Sequence, residues 1–87
     1  MERSEVYKLI DGERDYQDAK WNAATTTSKG LHGPTEWLVY IEDYVNEAKH
    51  IVSREYDPIA TEKAMSIMRK IGAMAVAAME QNEAPVR

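Results

Sequence analysis

Residues 71–79 read Ile71-Gly72-Ala73-Met74-Ala75-Val76-Ala77-Ala78-Met79, nine positions without a charged or hydroxyl side chain. Alanine and methionine are strong helix formers, and the run lies between Arg69-Lys70 and Glu80-Gln81-Asn82 with no proline inside it. As a helix it is apolar on every face, and such a helix is buried all round. Two partner helices are too few to surround it, so the sequence implies contact with another copy of the chain. Gly72, Ala73, Ala75, Ala77 and Ala78 are small enough for backbones to approach closely. Upstream the same helix is amphipathic. Ala60, Ala64, Ile67, Met68 and Ile71 share one side, and Glu62, Lys63, Ser66, Arg69 and Lys70 the other. This predicts a third helix over 57–82, with Asp57 as N-cap and Pro58 at its first position.

Two more helices precede it. A second helix is expected over 34–55, opened by Pro34. Trp37, Leu38, Ile41, Val45, Ala48, Ile51 and Val52 form its apolar stripe, and Glu36, Tyr40, Asp43 and Glu47 a second stripe on another face. A first helix is expected over 4–21, from the spacing of Val6, Leu9, Ile10, Tyr16, Lys20 and Trp21. Asp11-Gly12 is a turn signal, so this helix should kink there or divide in two. Residues 22–33 carry three Thr, one Ser and two Gly and read as a polar loop. The expected fold is all-α and a single domain over 1–87. It has a short or kinked N-terminal helix and two long antiparallel helices, and it oligomerises through the third helix.

Composition narrows the function. With 87 residues the chain has room for one small core. Zero cysteines exclude disulfides, thiolate metal sites and a thiol nucleophile. A net charge of −4 disfavours general nucleic-acid binding, which needs a basic surface. The longest apolar run falls well short of the roughly 20 residues of a membrane span, and no signal-peptide pattern opens the chain, so a cytoplasmic location and no membrane partner are expected. The large aromatics are Tyr and Trp only, each with a polar handle suited to half-buried positions.

Two groups of residues could carry chemistry. Glu36, Asp43 and Glu47 lie on successive turns and could hold magnesium through oxygen ligands, or form an ordinary solvated face. The loop offers the hydroxyls of Thr25, Thr26, Thr27 and Ser28, the cation of Lys29, and His32; flexible amides around Gly30 could wrap an anion. Tyr16, Lys20 and Trp21 stand just before it. A base can stack on Tyr or Trp while Lys and hydroxyl groups hold its phosphate. Arg69 and Lys70 of the third helix could reach the same anion. Trp37 belongs to the apolar stripe and reads as core. Met65, Met68, Met74 and Met79 read as core and interface filler. His50 falls on a polar face with no companion residues.

Glu13-Arg14-Asp15-Tyr16-Gln17, Lys20-Trp21, His32, Glu36-Trp37-Leu38, Glu47-Ala48 and Arg69-Lys70-Ile71 followed by Ala75-Val76-Ala77-Ala78-Met79-Glu80-Gln81 together resemble small phage and prophage proteins. These are similar to the all-α, MazG-like nucleoside triphosphate pyrophosphohydrolases. That superfamily holds magnesium with a Glu-Glu-x-x-Glu cluster on one helix and a Glu-x-x-Asp pair on the next. Here Glu42-Asp43-Tyr44-Val45-Asn46 keeps two acids, with Asn46 in place of the third. In the third helix Glu62 is followed three residues later by Met65. The resemblance therefore implies a nucleotide-binding protein with a degraded metal site and no cofactor. Magnesium belongs only to the enzymatic alternative on Glu36, Asp43 and Glu47. The layout is also similar to phage cyclic-nucleotide sponges of the anti-CBASS type. The implied role is sequestration, inside a bacterial host cell, of a nucleotide signal such as a cyclic oligonucleotide or an ADP-ribose derivative. Tyr16, Lys20, Trp21, Thr27, Ser28, Lys29, His32, Arg69 and Lys70 would bind this small ligand in a homo-oligomer. A helical module that inhibits a host protein is a further alternative.

Overall fold

A computed structural model describes residues 1–54 and 58–87, with the side chain of Arg54 left aside. The described residues form three helices, α1 (Arg3–Lys20), α2 (Pro34–Arg54) and α3 (Ala60–Asn82), and no strand. The all-α expectation holds.

The ends of the helices follow from local chemistry. Pro34 opens α2, where a missing N–H costs nothing, and Trp37 N–H donates to the Gly33 carbonyl at 3.1 Å. Glu36 and Glu62 place negative charge in the first turns of α2 and α3. Trp21 N–H closes α1 by donating to Gln17 O at 2.8 Å. The Asp11-Gly12 interruption does not occur: α1 is unbroken from Arg3 to Lys20. A glycine in a helix interior costs only about 1 kcal/mol relative to alanine, and packing of the following turns offsets it. The third helix begins later than the sequence suggests. Pro58 and Ile59 form a turn, and the first helical residue is Ala60. The proposed Asp57 cap lies outside the described residues.

α3 is the central element. α2 runs antiparallel along it, so that Trp37 near the start of α2 meets Gln81 near the end of α3. Trp37, Met74 and Ala77 form the core cluster, with Ile41, Tyr44 and Ala78 packed against it. α1 lies on another side of α3 and, among the described residues, makes no helix-to-helix packing with α2. Glu13 pairs with Arg69 and its neighbour Arg14 with Glu80, eleven residues further along α3. Eleven residues span about 16 Å of helix, so α1 lies across α3 rather than along it. Gly72 marks the crossing: a Cβ there would stand 3.2 Å from Ile10 Cδ1.

Residues 71–79 are mostly covered within the chain. Ala73, Met74 and Ala77 are buried, Ile71, Gly72, Ala75, Val76 and Ala78 half-buried, and Met79 exposed. Two helices do cover most of this run, because α1 crosses it where Gly72 allows close approach. Apart from Met79, residues 71–79 are thus at least half-buried by the chain's own helices.

The polarity of α1 is inverted along its length. Its buried residues are polar, Glu13 at 8% exposure and Gln17 at 5%. Its exposed residues include the apolar Val6 at 39%, Tyr7 at 60% and Leu9 at 44%.

Candidate ligand groove

The angle between α1 and α2 leaves a groove floored by α3. Two adjoining cavities fill it and share Trp21, Tyr44 and Met74. The first, of about 300 Å3, is lined by Glu13, Tyr16, Gln17, Lys20, Ser66, Arg69 and Lys70 together with the shared residues. The second, of about 460 Å3, adds Thr26, Ser28, Gly30, His32, Trp37, Tyr40 and Asp43. Both volumes fall in the range of small-molecule sites.

The first cavity is cationic and aromatic. Lys20 Nζ lies 5.1 Å from the Trp21 ring centroid and 5.9 Å from that of Tyr16, a cation–π arrangement that keeps the ammonium at the groove's edge. Arg69 Nε donates to Glu13 Oε1 at 2.8 Å, and Arg69 Nη2 lies 3.4 Å from Ser66 Oγ. The buried Glu13 carboxylate thus holds Arg69 at the wall while 40% of the arginine side chain stays exposed. Gln17 Nε2 donates weakly to the Lys70 carbonyl at 3.4 Å. No acidic side chain pairs with the Lys70 ammonium among the described residues. On the outer side of α1, Arg14 donates to Glu80 at 2.9 Å and to Asp18 at 3.0 Å. The hydrogen bond from Arg14 to Glu80 is the main cause that raises the guanidinium above its ordinary pKa. These pairs fix α1 across α3 and so set the width of the groove.

The second cavity is walled by rings. His32 stands edge-on to Trp37 at 5.2 Å and to Tyr40 at 5.1 Å, and its Nδ1 lies 3.0 Å from Glu36 Oε2. Gln81 secures this end. Its Oε1 accepts from Trp37 Nε1 and from the His32 amide, both at 2.9 Å, and its Nε2 donates to the Gly30 carbonyl at 2.9 Å. Asn82 Nδ2 donates to the His32 carbonyl at 3.1 Å. Both acceptor positions and one of the two N–H donors of this amide side chain are thereby spent on fixing the loop to the ends of α2 and α3.

Residues 22–33 are more self-contained than an anion-wrapping loop. Asn22 Oδ1 accepts from Ala24 N–H at 2.8 Å, Thr25 Oγ1 donates to Lys20 O at 2.6 Å, and Thr26 Oγ1 accepts from Gly30 N–H at 3.0 Å. The loop's polar side chains satisfy its own backbone and the end of α1. Lys29 and Gly30 both take positive φ, 61° and 76°. A Cβ at Gly30 would lie 2.5 Å from the Trp21 carbonyl oxygen, so this turn requires glycine.

The structure brings Tyr16, Lys20, Trp21, Arg69 and Lys70 to one cavity and Ser28 and His32 to the next. Thr27 and Lys29 lie outside both and are exposed, because the left-handed turn at Lys29-Gly30 packs its backbone, and not these side chains, against Trp21. Glu36, Asp43 and Glu47 are not brought together: Glu36 is engaged by His32, Asp43 faces the second cavity, and Glu47 is exposed. Among the described residues no group of three or more His, Cys, Asp or Glu is placed to hold a metal ion. Glu13, Gln17, Tyr44 and Gln81 were missed in the sequence. Their signal was present, since Glu13 and Gln17 continue the register of Val6 and Ile10, and Gln81 that of Met74 and Ala77. A polar residue on an apolar stripe marks a buried bond.

Comparison with known proteins finds no matching family, no matching curated protein and no matching solved structure. No helix among the described residues is long and apolar enough to cross a membrane.

Proposed function

We propose that this chain binds a small nucleotide-type ligand in the groove between α1 and α2 and holds it without turnover. The observation that carries this reading is the convergence of Lys20, Arg69 and Lys70 with the rings of Tyr16, Trp21 and Tyr44 on one cavity. Cations answer phosphate, and aromatic faces answer a base. Lys70 supports an anionic ligand most directly, as a cation in the cavity wall with no acidic partner among the described residues. Arg69 is held in a fixed direction by Glu13, which suits it to a planar, two-pronged contact with a phosphate. The adjoining ring-walled cavity extends the room for a base or a second nucleoside unit.

Binding without turnover is favoured over the magnesium-dependent pyrophosphohydrolase because Glu36, Asp43 and Glu47 are dispersed. A triphosphate-cleaving site gathers its carboxylates around the metal and the attacking water. The likeness to phage proteins and to the anti-CBASS sponges suggests the role: sequestration of a nucleotide immune signal, a cyclic oligonucleotide or an ADP-ribose derivative, in a bacterial host.

The test is incubation of the protein with a panel of mono-, di- and cyclic nucleotides, followed by removal of protein, heat release and chromatography. Depletion of one compound and its intact recovery is the expected result. Magnesium-dependent product formation would establish the enzyme instead, and depletion of none would overturn both readings. Against the depleted compound, Lys70→Ala and Trp21→Ala should each weaken binding about ten- to a hundredfold in titration calorimetry.

A further inference from the structure

The side of the molecule turned away from the groove carries an uncovered apolar face. On α2, Leu38, Val45 and Val52 recur every seven residues and form one row. Tyr40 and Asp43, which line the groove, lie on the opposite flank of the core-facing Trp37–Ile41–Tyr44 stripe at about 100° of turn per residue. On α3, Met68 and Met79 lie on the flank opposite the groove residues Ser66 and Lys70, with Ala75 between them. Because α2 and α3 are antiparallel neighbours, the two rows form one face. Leu38 is 68% exposed, Val52 57% and Met68 50%.

α1 borders the same face. Ile10 meets Gly72, and the turns before it, with Val6 and Leu9, run past α3 and are exposed. Val6, Ile10, Glu13 and Gln17 share one helical stripe, of which only the later part is covered by the chain itself.

The accessible area of the whole chain, groove and termini included, leaves room for such a face to be covered. The chain exposes 6775 Å2. A compact monomer of this mass exposes about 5,200 Å2. Residues 83–87 take up part of the excess, which is about 1,600 Å2 in all, whereas a standard interface needs only about 800 Å2 from each partner. The radius of gyration is likewise 14.2 Å, against about 12 Å for a compact domain of this length.

We infer that this face is a self-association surface and that its occupant is a second copy of the chain. Two copies related by a two-fold axis would appose their α2–α3 pairs back to back as a four-helix layer, with the start of each α1 overlapping the partner. The apolar row on α2 and the small residue Ala75, between Met68 and Met79 on α3, let the two pairs pack against each other. Both ligand grooves would then face outward, one on each side of the dimer. This inference does not depend on the ligand reading.

Sedimentation equilibrium tests it with the full chain. The wild type should behave as a dimer of 9.9 kDa subunits, and its melting temperature should rise with protein concentration. Leu38→Glu and Met68→Glu should each weaken association about a hundredfold or more, since either places an unpaired charge in the interface. Both positions are at least half exposed in the single chain, so helicity by circular dichroism should be retained in dilute solution. Trp21→Ala, on the groove side, should leave the association constant unchanged. A monomeric wild type with a concentration-independent melting temperature would overturn the inference. So would a dimer that persists unweakened in both glutamate variants, which would place the interface elsewhere.

Discussion

The two halves of α1 are one helix with opposite economies. After Ile10 its inward residues are polar and covered, with Glu13 and Gln17 against α3. Before Ile10 its inward residues are apolar and uncovered. A helix that served only to complete a core would place Leu or Val at 13 and 17 and leave the overhang polar. Burying a carboxylate costs free energy that its bond to Arg69 must offset, so the placement makes sense where a positioned guanidinium is needed. An exposed Val6 and Leu9 on the same stripe make sense where another surface completes the contact. The first half belongs to assembly, the second to the groove.

This contrast can be broken experimentally. The largest effect is expected where both the loop and the core depend on one residue. Trp37→Ala removes the buried ring of the core cluster and the donor to Gln81, and should cost about 3–5 kcal/mol. In a domain of this size each kcal/mol shifts the melting temperature by about 4–8 °C, so thermal unfolding followed by circular dichroism should show a midpoint lowered by about 12–40 °C. Retention of a cooperative transition near the wild-type midpoint would show that the core lies elsewhere.

Next comes the buried carboxylate. Arg69→Leu leaves Glu13 without its partner and should destabilise by about 1–3 kcal/mol, while the double variant Glu13→Gln with Arg69→Leu should recover a part of that loss. Urea titration of the three chains measures it. If Arg69→Leu is neutral, the covered half of α1 is not held by this pair, and the contrast between the halves loses its electrostatic side.

Gln81→Ala should cost about 1–3 kcal/mol through the lost bonds to Trp37, His32 and Gly30. Its specific mark is local: hydrogen exchange at the His32 amide should accelerate well beyond the change in global stability. Uniform acceleration across α3 would show that Gln81 braces the whole bundle rather than the loop.

The smallest effect sharpens the comparison most. Leu9→Ser, in the uncovered half of α1, should change the stability of dilute protein by less than about 0.5 kcal/mol, as exposed positions generally do. In concentrated solution it should lower the melting temperature relative to wild type, because there the partner covers it. Equal stability at both concentrations would leave the overhang without a function in assembly.

The residues themselves were enough for the helices and the central place of α3. Pro34 opens a helix wherever it stands before such a stripe, and the run from Ile71 to Met79 has no stable place but the middle of a helical packing. The cationic and aromatic residues of the groove were legible too, because Tyr16, Lys20 and Trp21 crowd the end of one helix and Arg69-Lys70 interrupts another. Their meeting was decided only by tertiary structure. α1 lies across α3, and no local pattern encodes a crossing; it follows from Gly72 admitting Ile10 and from Glu13 and Arg14 reaching partners eleven residues apart. The same holds for Asp11-Gly12, whose turn propensity of about 1 kcal/mol yields to packing. Lys29 and Thr27 looked like ligand contacts because hydroxyls and a cation near glycine resemble an anion loop, yet backbone hydrogen bonding within the loop claimed Thr25 and Thr26 and turned Lys29 outside the cavities. The outer face of α2 and α3 shows the same division. Periodicity alone counts Leu38, Val45 and Val52 with the core stripe, since all are apolar and within about a quarter of a turn of it. Only the position of α3 separates the residues it covers from those it leaves exposed, because a single neighbouring helix can bury just one side of a stripe this wide.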